Sequence, residues 1–261
     1  MVTLRLCIFV LILSSYIEKN IAKLAEAEHS MRNTLFSLRL IGAIEIASII
    51  GSVFITTWVI IPLQLEPRWL ALLPGLFAMT LILNSHRVHD ERFSKSVGST
   101  QTFWQAIRLL ALPTVAICTV IGTIGFVTNS FHKTSHFGVN LLVLPIWAFV
   151  QQYVLQAFIF RRMKWALTPE RASPEEQRQG TQWAIFATAA IFSLTHLPNL
   201  VLMLLTLLGA ILWSWVYERA PSLFALALSH AAISLMLMTS IPSWLLPSMS
   251  VGYKHFLYQK F

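Results

Sequence analysis

The 261 residues are 56% hydrophobic and only 11% charged, and their mean hydropathy is +0.67. A chain this apolar is not an ordinary soluble globular domain, so the composition predicts an integral, polytopic membrane protein with the lipid bilayer as its main partner. The formal net charge of +8 is spread over separated loops instead of one face interleaved with aromatic residues, which excludes nucleic acid as a partner.

Apolar stretches taken in chain order predict an all-α bundle of seven or eight membrane-spanning helices. A helix needs about 20 mainly apolar residues to cross the hydrocarbon core, and somewhat shorter stretches can cross with help from flanking residues. Two stretches, the first and the third, are short, which leaves the count at seven or eight. The predicted spans lie near residues 4–17, 40–64, 69–84, 108–129, 138–160, 182–197, 200–217 and 221–240.

The N-terminal residues 1–39 are predicted to be a membrane anchor followed by a connector. The apolar run Leu6–Ser14 resembles the hydrophobic region of a signal peptide, but no small-x-small cleavage site precedes Glu18–Glu28, so a retained anchor is expected. The stretch 17–40 carries apolar residues at helical intervals, which fits either a helix along the membrane surface or a solvated helical connector. Residues 40–261 are predicted to form one transmembrane domain.

Three glutamines, Gln151, Gln152 and Gln156, interrupt the apolar stretch 138–160. Residues four apart share one face of a helix, so Gln152 and Gln156 are predicted to project together. Gln151 lies about 100° around the helix from Gln152, which gives the helix a wide polar edge. Side-chain amides in a dry bundle can bind a carbonyl group or position a water molecule.

Two histidines lie in the apolar stretches that follow. Phe192 precedes His196 by four residues, and His230 precedes Ser234 by four, so each pair shares a helix face. Asn199 comes shortly after His196, near a predicted helix end. Polar groups in these positions are candidates for function. The alternative is hydrogen bonding between transmembrane helices, which contributes about 0.6–2 kcal/mol per contact.

Other unusual residues have structural interpretations. Glu45 is an intramembrane carboxylate, which is predicted either to pair with a basic group or to face water at a helix end. Trp213, Trp215 and Tyr217 lie near the end of a predicted span, so they are predicted to belong to the aromatic belt at the membrane interface.

The order of the polar clusters between about residues 141 and 237 resembles the CPBP family of intramembrane proteases. That family comprises the CAAX prenyl endopeptidases and the bacteriocin-processing or immunity (Abi) proteins, and it carries the motifs EExxxR, FxxxH and HxxxN on successive core helices. Phe192 and His196 match the second motif, and the following Asn199 is family-like. His230 begins the third, which ends at Ser234 instead of Asn. The resemblance implies a CAAX-protease-like helical core.

The first motif departs from the family, because all three of its charged residues are glutamine here. The resemblance implies that Gln151 stands where the family's glutamate activates water, with His196 assisting, and that His230 and Ser234 form the oxyanion site. An amide cannot accept and return a proton near neutral pH as a carboxylate can. Losing both carboxylates and the arginine together leaves a neutral site, whereas a retained arginine would be a buried, unpaired cation.

The resemblance therefore predicts a CPBP-like membrane protein without conventional glutamate-dependent peptidase activity. Its neutral pocket, with Gln152, Gln156, Phe192 and Asn199 as further pocket residues, would bind a membrane peptide, an isoprenoid or another lipid. Two alternatives stay open. One is an active intramembrane endopeptidase, of CAAX or bacteriocin-processing type, that uses His196 and His230. The other is an accessory subunit that packs against a larger membrane-protein complex.

No metal or other cofactor is predicted. His196 and His230 could supply two imidazoles, but the positions that match the family hold no carboxylate or thiolate to complete a zinc site. The expected location is the bacterial inner (cytoplasmic) membrane, with most of the 19 basic residues in loops on the cytoplasmic side.

Overall fold

The computed structural model describes residues 38–63, 72–88, 98–131, 137–169 and 172–258. The predicted N-terminal anchor and almost all of the connector lie outside these residues. The described part of the chain is all-helical, as predicted, and contains no strand. We number its helices α1 (Leu38–Ile55, continuing as a π-helical segment Thr56–Ile60 and a short α-helix Ile61–Leu63), α2 (Leu73–Val88), α3 (Thr100–Val127), α4 (Phe137–Gln152, continuing as a π-helical segment Tyr153–Phe160 and an α-helix Arg161–Leu167), α5 (Pro174–Leu194), α6 (Leu200–Arg219), α7 (Leu223–Ser240) and α8 (Tyr253–Tyr258).

Five helices of the described part are long and apolar enough to cross a membrane. Leu73–Ser85 of α2 is apolar but shorter. The predicted span 182–197 falls on α5, which is not among the five because its first turns are polar. The predicted count of seven or eight spans is therefore not confirmed, whereas an integral membrane protein is. The five spans are Leu40–Leu63, Thr100–Val127, Phe137–Leu167, Leu200–Arg219 and Leu223–Ser240.

Helix α7 lies at the centre of the second half of the bundle. It packs against both α3 and α4, while α6 packs along α5. Small buried residues such as Ala225, Ala227 and Ala231 line α7, and small side chains let transmembrane helices approach closely. The packing therefore carries the middle of α7, including His230, into the interior.

Buried charges connect α1, α2 and α4. The guanidinium Nε of Arg162 donates to Oε2 of Glu45 across 3.0 Å, and its Nη2 donates to Oγ of Ser85 across 2.7 Å. The side chain of Arg162 is only 1% exposed, and that of Glu45 is 13% exposed. A buried cation needs such partners. Of the two predicted alternatives for Glu45, pairing with a basic group is the one that the structure confirms.

Candidate functional site

A chain of hydrogen bonds joins α4 to α7 in the interior. The amide nitrogen of Gln156 donates to Oε1 of Gln152 across 3.3 Å, and the amide nitrogen of Gln152 donates to Nδ1 of His230 across 3.2 Å. All three residues are buried. The prediction that Gln152 and Gln156 share a helix face is confirmed. Gln156 lies within the π-helical segment of α4, a type of helix that is frequent at functional sites.

The orientation of the Gln152 amide favours one tautomer of His230. Because Gln152 donates to Nδ1, that nitrogen is an acceptor, and the neutral imidazole carries its proton on Nε2. At the other end, Oε1 of Gln156 is buried and has no hydrogen-bond partner among the described residues. A buried acceptor without a partner is unfavourable, so Oε1 of Gln156 can accept a hydrogen bond from one further donor.

Trp213 forms one wall of the His230 environment. Its ring stacks on the imidazole at a centroid distance of 4.3 Å and an interplanar angle of 28°. Its Nε1 donates to Oγ of Ser229 across 3.2 Å, and Ser229 is hydrogen-bonded to Thr114 of α3. Trp213 is 3% exposed. The prediction that it belongs to an interfacial belt is wrong, because its ring is packed inside the bundle, and Tyr217 is buried as well.

His196 lies in the turn between α5 and α6. Its Nδ1 donates to the backbone carbonyl of Phe192 across 2.7 Å and is 3.3 Å from the hydroxyl of Thr195. A ring nitrogen that donates to a carbonyl carries the proton, so Nε2 of His196 is the acceptor in the neutral ring. Among the described residues, Nε2 has no hydrogen-bond partner. His196 therefore offers a basic nitrogen, whereas His230 offers an N–H.

The ring of Phe192 stands beside both imidazoles. Its centroid is 4.7 Å from that of His196 and 6.2 Å from that of His230, and both contacts are edge-to-face. Phe192 is 7% exposed. Phe192 thus lies between the two histidines and contacts one on each side.

A cavity of about 380 Å³ lies beside His196, between α1, α2, α4 and α5. Its walls are mainly aliphatic, and Trp147 and Val150, which are also exposed on the outer surface of α4, line one side. The described residues that line it include no Asp, Glu, Lys or Arg. Its polar lining residues are Ser52, Thr56, Thr57, Gln151, Thr195 and His196.

The predicted site residues therefore separate into groups. Gln151, Phe192 and His196 line the cavity, whereas Gln152, Gln156 and His230 form the buried polar chain and do not line it. Gln151 and Gln152 are adjacent in sequence but belong to different groups, because neighbouring residues project in different directions from a helix.

Asn199 and Ser234 lie apart from both groups. Asn199 is the N-cap of α6: its Oδ1 accepts from the backbone N–H of Leu202 across 3.2 Å, and its Nδ2 donates to the carbonyl of Ser248 across 2.9 Å. Both the oxygen and the nitrogen of its amide therefore form hydrogen bonds that hold the local structure. Ser234 is half-buried one turn after His230 and forms no hydrogen bond through its side chain in the described part of the chain.

Sequence reasoning did not identify Trp213, Ser229 or Thr114 as neighbours of the site. The depth of Trp213 in its span could have indicated that it lies inside the bundle. The span Leu200–Arg219 ends six residues after Trp213, which is about 9 Å along the helix at 1.5 Å per residue. Within the described ranges, no group of three His, Cys, Asp or Glu side chains is arranged to hold a metal ion.

A comparison with protein families gives a match to part of the chain. The family model described as type II CAAX prenyl endopeptidase Rce1-like matches residues 136–236. This range contains the glutamine cluster, His196 and His230. No curated protein and no solved structure matches the chain.

Proposed function

We propose a function from the premise that this chain, through its residues 136–236, belongs to the Rce1-like family of type II CAAX prenyl endopeptidases. The protein binds an apolar membrane ligand, which is an isoprenoid, another lipid or a membrane peptide, in the cavity beside Gln151 and His196. It does so without conventional glutamate-dependent hydrolysis.

The neutral lining of the cavity is the observation that carries this proposal. Binding sites for small molecules are mostly apolar concavities of about 300–1,000 Å³ with a few polar groups that orient the ligand. The cavity has a volume of about 380 Å³, aliphatic walls, and Gln151 and His196 among its few polar residues. An amide offers donors and an acceptor, and Nε2 of His196 offers an acceptor, so the pair suits a hydroxyl or carbonyl group on an apolar chain.

The same residues argue against a glutamate-dependent reaction. A water nucleophile needs a group that takes its proton, and a carboxylate does this in the family to which the motifs belong. Gln151 cannot serve as that base. Among the described residues, no carboxylate lines the cavity.

Ligand binding can be tested by blocking the cavity. Ala78 lines it, whereas Ala116 is exposed on α3. The wild-type protein and the variants Ala78→Phe and Ala116→Phe would be purified in mild detergent and titrated with a fluorescent farnesol analogue, and their lipid extracts compared by mass spectrometry. We expect binding to be lost only in Ala78→Phe. Equal binding by all three proteins would refute the proposal, and so would a wild type that binds no farnesol analogue and retains no more lipid or membrane peptide than Ala78→Phe does.

A second candidate is an endopeptidase in which His196 activates water. The observation that favours it is the hydrogen bond from Nδ1 of His196 to Phe192, which leaves Nε2 as a basic nitrogen. Hydrolysis of a prenylated peptide in liposomes that disappears in His196→Ala but persists in Asn199→Asp would support this candidate over the first. The accessory-subunit alternative stays a prediction, to be tested by whether a second protein always co-purifies.

A further inference from the structure

A second cavity, which is charged, lies where α4 and α6 end and α5 begins. Its volume is about 830 Å³. None of its lining residues also lines the cavity beside His196. The proposals for the two cavities are therefore independent.

The charge of this second cavity is positive. Lys164, Arg178 and Arg219 line it together with one carboxylate, Glu218. Lys164 donates to Glu218 across 2.7 Å, and these two charges offset each other. Arg178 pairs with Glu175 outside the cavity, but both side chains are largely exposed, so water and salt screen that pair.

Arg219 is the cation best placed for a ligand. Its guanidinium lies 4.0 Å over the ring of Trp215, and its Nη1 donates to the backbone carbonyl of Trp215 across 3.2 Å. It has no acidic partner among the described residues. This hydrogen bond uses one of the five N–H donors of the guanidinium. The planar group is therefore held in place, and its other donors can bind a phosphate or carboxylate.

The position of the cavity in the bundle identifies the kind of anion. It lies at the ends of the candidate spans Phe137–Leu167 and Leu200–Arg219, and helices of this length and composition are expected to leave the hydrocarbon at their ends. Trp165 and Trp215 line it and are each partly exposed, and tryptophan favours the headgroup level of a bilayer. Basic pockets between helices at this level bind anionic lipid headgroups.

We propose that this cavity binds the headgroup phosphate of an anionic phospholipid, whose acyl chains stay in the bilayer beside the bundle. Arg219 is the main phosphate ligand. Gln177 and Gln182, which also line the cavity, supply neutral donors for the rest of the headgroup.

The test measures lipid retention in variants that are expected to change it in opposite directions. Wild type and three variants, Arg219→Gln, Glu218→Gln and Arg108→Gln, would be purified in mild detergent with added dioleoyl phosphatidylglycerol or dioleoyl phosphatidylcholine. Native mass spectrometry would then count the lipids retained by each. Arg108 is an exposed cation on α3 that does not line the cavity, so its replacement controls for the loss of one positive charge.

We expect the wild type to retain phosphatidylglycerol in preference to phosphatidylcholine. Arg219→Gln should lower this retention about fivefold, since one basic group near an anionic surface contributes roughly that factor. Glu218→Gln should raise it, because it removes the carboxylate and releases Lys164. Arg108→Gln should leave it unchanged. A general folding defect cannot produce the increase in Glu218→Gln.

Three results would overturn the proposal. The first is equal retention of the two lipids by the wild type. The second is an equal loss in Arg219→Gln and Arg108→Gln, which would indicate unspecific charge attraction. The third is displacement of phosphatidylglycerol by millimolar sn-glycerol 3-phosphate, because a soluble phosphate would then be the natural occupant.

Discussion

The side-chain amide of Gln152 donates to Nδ1 of His230 across 3.2 Å, and its oxygen accepts from Gln156. Glutamine uses both ends of its amide in this position. A carboxylate has only acceptors and could not donate to Nδ1. Glutamine at position 152 therefore favours the tautomer of His230 that carries its proton on Nε2.

This relationship predicts the effect of a carboxylate at position 152. In Gln152→Glu the carboxylate would accept a hydrogen bond from Nδ1–H, so the proton of His230 should move from Nε2 to Nδ1. The ¹⁵N chemical shifts of the two ring nitrogens in selectively labelled protein would report the exchange. Gln151→Glu is the control, since Gln151 lines the cavity beside His196, and the hydrogen bond to His230 comes from Gln152. Identical His230 shifts in both variants would contradict the assignment.

Gly209 supports the position of Trp213 against His230. A Cβ atom added at Gly209 would lie 3.0 Å from two atoms of the Trp213 ring, which must then shift. We expect Gly209→Ala to displace the stacked ring and to change the His230 resonances. A Cβ atom added at Gly51 would meet no described atom within 4 Å. Gly51→Ala should therefore leave the resonances unchanged and, like other glycine replacements inside helices, stabilise the protein by about 0.5–1 kcal/mol.

Local helix geometry was enough to predict part of the site. The spacing of Gln152 and Gln156 predicted a shared face, and the hydrogen bond between them follows from it. The separation of Gln151 from Gln152 could not be predicted in this way. Both are polar and adjacent, and only the packing of α4 against the other helices determines which one lines the cavity and which one meets His230.

The sequence pattern also could not predict which residues far apart in the chain contact each other. Glu45 was recognisable as an intramembrane carboxylate, but the pattern could not identify Arg162, which is 117 positions away, among many basic residues. The stacking of Trp213 on His230 likewise depends on the packing of α6 against α7. The helical fold was predictable because apolar stretches of span length dominate the chain.

The pair of Glu45 and Arg162 should contribute far more to stability than the pair of Glu218 and Lys164. Glu45→Gln removes the carboxylate partner of a side chain that is 1% exposed, which typically costs about 3–5 kcal/mol. Glu218→Gln removes the partner of a side chain that is 34% exposed, for which we expect less than about 1 kcal/mol. Reversible unfolding in mixed micelles would measure both. Similar losses in the two variants would show that Arg162 does not depend on Glu45.

The start of α5 should respond to acid, whereas the start of α3 should not. The carboxylate of Glu176 accepts hydrogen bonds from the backbone N–H and the hydroxyl of Ser173, and these lower the pKa of Glu176. A lowered folded-state pKa stabilises the fold above the unfolded pKa of about 4.3, and the contribution is lost as the pH falls through the folded value. The equivalent capping box of α3 pairs Ser99 with Thr102, which does not titrate.

Hydrogen exchange of the first turns of the two helices would test this difference. After correction for the intrinsic exchange rate, peptides from the start of α5 should lose protection below about pH 4, and those from the start of α3 should keep it. Glu176→Gln should remove the acid response of α5, whereas Ser173→Ala keeps the backbone N–H donor and should only weaken it. Equal responses at both helix starts would mean that general unfolding, not Glu176, is the cause.

A cation at position 156 should be tolerated only when its hydrogen-bonded partner at position 152 becomes a carboxylate. Gln156→Arg alone places a cation at a position that is fully buried, and we expect a loss of about 3–5 kcal/mol. Adding Gln152→Glu should recover most of that loss, because Gln156 contacts Gln152 directly. Adding Gln151→Glu instead should recover little, since Gln151 lies on the cavity side. A double-mutant cycle for each pair measures the coupling. Equal coupling of position 156 to positions 151 and 152 would contradict the assignment of Gln151 to the cavity and of Gln152 to the hydrogen bond with Gln156.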